Sequence, residues 1–174
     1  WRTHKMSQTQ VERLFIADKS SLTGNMWRLT SSSTFSSGSS DLTSNWEAID
    51  TYGAGSVGSA MTESSGIFTF PTTGVYRIKF QCMFSRSGAA SDYNGARIYQ
   101  TQDNSSYNLS STGYVWFENT TAIYGMTSAE TIFDVTDTST HKVKFNVNRE
   151  SSVELHGSSS SSITFVVFDR LGDT

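Results

Sequence analysis

Residues 53–58, Gly-Ala-Gly-Ser-Val-Gly, match the G-x-G-x-x-G pattern that cradles a dinucleotide pyrophosphate. That chemistry needs a buried strand leading in and a helix leading out, so that the helix N-terminus meets the phosphates. The next residues, Ser-Ala-Met-Thr-Glu-Ser-Ser-Gly, carry no helical stripe, and the segment reads as a Gly/Ser loop. His4, His141 and His156 could ligate a metal or act as bases, yet none stands at ligand spacing from another histidine or from Cys82. No G-x-S-x-G elbow is present. A Ser-His-Asp constellation is spatial and leaves no spacing to read. Asp134 and Asp137 could contribute oxygens to calcium, but their spacing is not that of an EF-hand, and a turn capped by Asp and Thr is the plainer reading. Asn104, Asn108 and Asn119 each open an N-x-[ST] sequon, which matters only for a product of a eukaryotic secretory pathway. Glu130, Glu150 and Glu154 could supply the carboxylate pair of a glycosidase, although salt-bridged or solvated roles suit each of them. No catalytic residue, metal ligand or cofactor site is assigned, and the expectation is a protein that is not an enzyme.

Composition points to strands. Serine and threonine make up close to a third of the 174 residues, and Phe and Tyr are plentiful. Helix formers such as Leu, Ala, Glu and Lys are scarce. The net charge of −3 gives no basic face for phosphate neutralisation, so nucleic acid is not an expected partner. No apolar run approaches the roughly 18 residues that span a bilayer. The single cysteine, Cys82, allows no intrachain disulfide and sits in an alternating apolar run, as a small buried hydrophobe would.

Two regions differ in texture. Residues 1–25 carry Arg2, Lys5, Arg13 and Lys19 against Glu12 and Asp18. Val11, Leu14 and Phe15 have helical spacing, and Thr9 with Glu12 fits a capping box. This is an N-terminal arm or attachment segment. The chain opens on Trp1 rather than a methionine, which is compatible with a longer protein of which this is the ordered part. Residues 26–174 read as one domain of short apolar runs separated by Ser, Gly, Asn and Asp clusters, with no internal repeat.

Within that domain the period is two. Phe68 and Phe70 share one face of a strand. After Pro71 and Gly74, the residues Tyr76, Ile78, Phe80, Cys82 and Phe84 share a face of the next, with Arg77, Lys79 and Gln81 opposite. Pro71 presets φ and Gly74 can take φ > 0, so the two strands meet at a corner. Val143, Phe145 and Val147 alternate with Lys142, Lys144 and Asn146. Tyr114 to Phe117, and Ile163 with Phe165 to Phe168, are apolar on both faces, which calls for cover on both sides. The fold class expected is all-β, a two-sheet antiparallel sandwich or jelly roll.

The stretch Glu63 to Phe84, with Gly66, Phe68, Phe70, Pro71, Gly74 and Tyr76 in order, resembles the signature of the complement globular-head family, relatives of the tumour-necrosis-factor fold. The closing Ser-Ile-Thr-Phe-Val-Val-Phe-Asp-Arg-Leu-Gly-Asp-Thr is similar to that family's last strand. In texture the chain also resembles fibre or decoration proteins of marine bacterial viruses. The resemblance implies a jelly roll of about ten strands that assembles as a homotrimer. Tyr114, Trp116, Phe165 and Phe168 are the candidate contacts between copies.

The function expected is structural or adhesive: a trimeric knob on a virion, in capsid decoration or at a tail fibre. Residues 1–25 would meet other virion proteins, and loops rich in Ser, Thr, Asn and Tyr would face a host-surface glycan or protein. A secreted ligand- or glycan-binding module of the same fold is the alternative, and a polysaccharide-degrading enzyme stands third.

Overall fold

The computed structural model describes residues 22–88, 90–118 and 120–174. The expected arm lies almost wholly outside them, as does the helix expected around Val11, Leu14 and Phe15. The described chain enters the domain at once: the Thr23 carbonyl accepts the Arg170 amide at 2.7 Å, and the first described strand starts at Gly24.

The strands of the described residues are β1 (Gly24–Leu29), β2 (Ser31–Phe35), β3 (Gly38–Asp41), β4 (Trp46–Ala48), β5 (Thr62–Ser64), β6 (Ile67–Thr69), β7 (Gly74–Gly88), β8 (Ser91–Thr101), β9 (Asn108–Phe117), β10 (Thr120–Val135), β11 (Lys142–Arg149), β12 (Val153–Ser158) and β13 (Phe165–Gly172). They exceed the expected ten because β3 to β6 are separate pieces of three or four residues. No helix is present among the described residues.

All pairings are antiparallel and build two sheets. The seven-stranded sheet runs β2-β12-β7-β13-β1-β4, with β10 along the other edge of β7. One edge of β7 is shared: β13 pairs with residues 75–81, and β12 with 84 and 85. The six-stranded sheet runs β5-β6-β11-β8-β9, and β3 continues the line of β6 beside β11.

The alternation read in β7 and β11 is what buries the core. Tyr76, Ile78, Phe80, Cys82 and Phe84 face Val143, Phe145 and Val147 across the sandwich, all fully buried. Rings fill the space between: Phe68 meets Trp27, Trp46 and Phe145 edge-on at 5.3–5.5 Å and leans on Phe168 at 5.3 Å. Each such ring contributes about 1.5–3 kcal/mol of burial, and edge-on pairs add somewhat more.

Pro71 marks more than a turn. β6 belongs to the six-stranded sheet and β7 to the seven-stranded one, so the Pro71–Gly74 corner carries the chain from one layer to the other. The Tyr76 hydroxyl donates back to the Thr72 carbonyl at 2.9 Å and braces the corner. Gly74 has φ +143°, and a Cβ there would meet Arg170 Nε at 2.4 Å and the Gly172 carbonyl at 2.6 Å, so only glycine fits. Phe70 packs at a tilt on Tyr76 below the corner, with ring centroids 4.7 Å apart, and Gly66, at φ +80°, lies against the Leu42 backbone.

Candidate functional site

Parity along each strand decides what a residue can touch. On β13 the even positions Val166, Phe168 and Arg170 point inward, and Phe165 and Val167 point out. Phe168 is therefore corrected as a contact between copies. Its ring is fully buried against Phe68, Phe70 and Phe145 and is closed to any second chain. Phe165 stays on the outer face of the seven-stranded sheet, opposite Gln81. Tyr114 and Trp116 stand on the outer face of the other sheet. The four candidates thus fall in three places and form no single patch.

Phe165 does have apolar company that the sequence reading did not single out. Met126 on β10 lies directly opposite Met83 on β7, and Tyr124 opposite Ser85. Val167 lies opposite Lys79. Tyr124, Met126 and Ile132 are 63%, 56% and 65% exposed on the outer face of the edge strand, with Ser128 and the ion-paired Glu130 between Met126 and Ile132. The signal was present in the sequence: residues 123–135 are apolar at both parities, with Ile123, Ala129, Phe133 and Val135 turned inward.

The outer face of the six-stranded sheet is of a different kind. Gly95, Arg97 and Tyr99 on β8 line up with Tyr114, Thr112 and Leu109 on β9, and with Asn148, Asn146 and Lys144 on β11. A Cβ on Gly95 would stand 2.5 Å from the Tyr114 ring, so that ring lies down over the glycine backbone. Arg97 Nη2 donates to the Tyr114 hydroxyl at 2.8 Å, and its guanidinium stands 5.9 Å from the ring centroid. The hydrogen bond from Arg97 holds the Tyr114 phenol below the ordinary tyrosine range; Thr112 and Asn148 bring further hydrogen-bonding groups to it. Tyr93 meets the same ring edge-on at 5.9 Å. Further along, Lys144 Nζ donates to Asp41 at 2.7 Å and sits 4.7 Å from the Tyr107 ring. Asn146 donates to the other Asp41 oxygen at 2.7 Å. Burial and the charges of Asp103 and Asp41 push the Tyr107 phenol up.

The groups with reactive potential are placed as follows. Ser85 Oγ lies 2.6 Å from His156 Nε2 beside a cleft of about 470 Å³ lined by Tyr124, Arg86 and Glu154. Glu154 approaches the same nitrogen, at 3.9 Å, rather than the far one, so it does not orient the imidazole as a triad acid would. His141 stacks on Phe133 and meets the Thr136 and Thr140 hydroxyls, as a satisfied structural histidine does. Asp137 accepts from the Ser139 amide and hydroxyl and caps a turn, which holds its carboxyl below the usual range. Glu130 pairs with Arg77 at 2.8 Å, and Glu150 accepts the Asp92 amide. Residues 53–58 form an exposed loop, and Val57 bridges to Gly24 with no helix following. Among the described residues no three of His, Cys, Asp and Glu cluster as metal ligands would. Burial pushes the Cys82 thiol well up. His4 and Asn119 lie outside the described residues, and Asn104 and Asn108 are exposed.

Solved structures share this arrangement. The fold is that of the tumour-necrosis-factor jelly rolls. Murine APRIL at pH 5.0 superposes with a TM-score of 0.60 at 11% identity, covering 86% of this chain and 99% of that one. The Eiger TNF of S. frugiperda gives 0.63 at 12% identity, covering 88% and 94%. At such identities the likeness is one of fold. No family model matches the chain, and no curated protein matches it.

Proposed function

We propose that this chain is a non-enzymatic adhesive module that works as a homotrimer, a knob displayed on the capsid or tail fibre of a bacterial virus. The observation that carries the reading is the group of exposed and half-buried apolar side chains on the outer face of the seven-stranded sheet, Tyr124 and Met126 on β10 with Met83, Phe165 and Val167 on the strands beside it. An exposed apolar group rimmed by polar residues marks an interaction surface. A further copy of the same chain, related by closed rotational symmetry, is the cover that needs no other partner. Residues 1–25, with more basic than acidic side chains, would tie the knob to other virion proteins. The aromatic face of the six-stranded sheet would then look outward to a glycan or protein of the host surface.

Light scattering on the purified chain tests the assembly. Three times the 19.2 kDa protomer mass is expected, and a stable lone protomer overturns the reading. Deletion of residues 1–20 should leave a folded trimer, lighter by the deleted residues, and abolish incorporation into particles; normal incorporation would remove the attachment role.

A second reading, a secreted module of the same fold, is favoured by one observation. Asn104 sits exposed at φ +56° in the loop between β8 and β9, where its sequon is presented to solvent. An oligosaccharide on Asn104 or Asn108 in the native source would select this reading over the virion one.

A further inference from the structure

Arg97 is a cation without a carboxylate. Among the described residues the ion pairs go to Arg28, Arg77, Lys144, His156 and Arg170, and Arg97 has none. The acid on its own sheet face, Asp41, is taken by Lys144 and Asn146, both at 2.7 Å. What flanks the guanidinium instead are two tyrosines, Tyr114 and Tyr99. A planar guanidinium matches a carboxylate with paired donors, and on a partly exposed sheet face Arg97 can take that carboxylate from a ligand.

Its surroundings narrow what that ligand is. The Tyr114 ring rests one face on the Gly95 backbone and turns the other to solvent, at 49% exposed. Its orientation is held by the Arg97 hydrogen bond and by the edge of Tyr93. Trp116, two residues along the same face and 63% exposed, stands about 7 Å away by the strand repeat. A fixed aromatic face is electron-rich, and it attracts the C–H bonds that a sugar ring presents on its flat side. Because the platform is already ordered in the free chain, little side-chain freedom is lost on contact. Asn148 and Thr112, with the phenol itself, are neutral donors and acceptors grouped at the Tyr114 hydroxyl.

A nucleic acid would demand several cations along a track, and the chain's net charge of −3 opposes it. One cation beside two stacking faces fits a single acidic ring.

We infer that the outer face of the six-stranded sheet, centred on Arg97, Tyr114 and Trp116, binds a carboxylate-bearing pyranose at the end of a surface glycan. The carboxylate meets the Arg97 guanidinium, and the ring stacks on Tyr114, with Trp116 holding the next residue. This names the ligand class of the adhesive reading above and rests on it.

The test is saturation-transfer NMR and calorimetry on the full chain with a sialoside, a methyl glucuronoside, the methyl esters of both, the matched neutral disaccharide, and inorganic sulfate. The acid sugars should bind with roughly millimolar affinity and the esters about tenfold more weakly or not at all. Arg97→Gln should reduce acid-sugar binding about tenfold with the oligomeric mass and near-ultraviolet circular dichroism unchanged, and Tyr114→Ala should remove the transfer signal. Equal binding of acid and ester, binding unaffected by Arg97→Gln, or occupancy by sulfate as tight as by the acid sugars overturns the proposal. If neutral glycans bind and Tyr114→Ala abolishes that binding, the carboxylate assignment fails and the adhesive reading survives. If no glycan binds and particles or cells show no attachment, both fail.

Discussion

Gly113 on β9 faces Ser128 on β10 so closely that a Cβ on the glycine would stand 2.0 Å from the serine carbonyl oxygen. The two strands are edges of different sheets, and this approach closes one side of the sandwich without a ladder between them. The obstacle is backbone, so no rotamer change relieves it. Gly113→Ala is expected to force the edges apart and to lower unfolding stability by about 1–3 kcal/mol, read as a shift in denaturant midpoint with the slope unchanged. A midpoint equal to that of the parent would mean that the two edges move freely.

The apolar group on the seven-stranded sheet gives a sharper test of assembly than mass alone. Met126 is 56% exposed in one protomer, so Met126→Glu costs the isolated fold little. Within an interface it would bury an unpaired charge beside Met83. The expected result is a folded protomer of 19.2 kDa with an unchanged far-ultraviolet spectrum. Retention of the parent's mass would place the contact between copies elsewhere.

Asp103 accepts from the Thr101 hydroxyl at 2.7 Å and from the Ser105 and Ser106 amides at 2.9 and 2.7 Å. The Ser106 amide, then Thr101 and Ser105, hold its carboxyl well below the usual carboxylate range. A depressed folded value means that the ionised form stabilises the β8–β9 loop above the unfolded value, about 3.9, and that this contribution disappears as pH falls through the folded one. Hydrogen exchange of the Ser105 and Ser106 amides should therefore accelerate only in strong acid. Asp103→Asn should lose protection at every pH and show a flatter acid profile. An unchanged profile in that variant would remove Asp103 as the group responsible.

The Tyr114 phenol offers a check on the Arg97 contact that needs no ligand. Its value is lowered chiefly by the hydrogen bond from Arg97. In Arg97→Gln the Tyr114 resonance, followed with ring-labelled tyrosine, should titrate at higher pH than in the parent. Coincident titration curves would show that the two side chains do not meet in solution.

The sequence carried the layers but not their assignment. Period-two burial in residues 76–84 and 143–147 is a property of a single strand, and it survives unchanged into the core. The corner at Pro71 was legible for the same reason, since the φ demands of Pro71 and Gly74 are local. Phe165 and Phe168 look alike in sequence because β13 is apolar at both parities, and only its place between β7 and β1 tells which ring faces inward. Nothing local says that β9 and β13 join opposite sheets, so Trp116 and Phe165 could not be separated beforehand. The isolation of Arg97 was less legible still. A missing carboxylate is visible only once every acid on that face has found its partner, as Asp41 has through residues more than 100 positions away.

In the order β7-β13-β1, the last strand of the domain is inserted between two made much earlier. Arg170 on it donates to the Thr73 carbonyl, 97 positions upstream, and so latches the corner at Gly74. During synthesis the sheet therefore stays open between β7 and β1 until β13 has emerged from the ribosome. A translation product stopped before β13 would keep two adhesive strand edges unzipped, a ready substrate for chaperones and proteases, and only copies that carry β13 would pass into assembly.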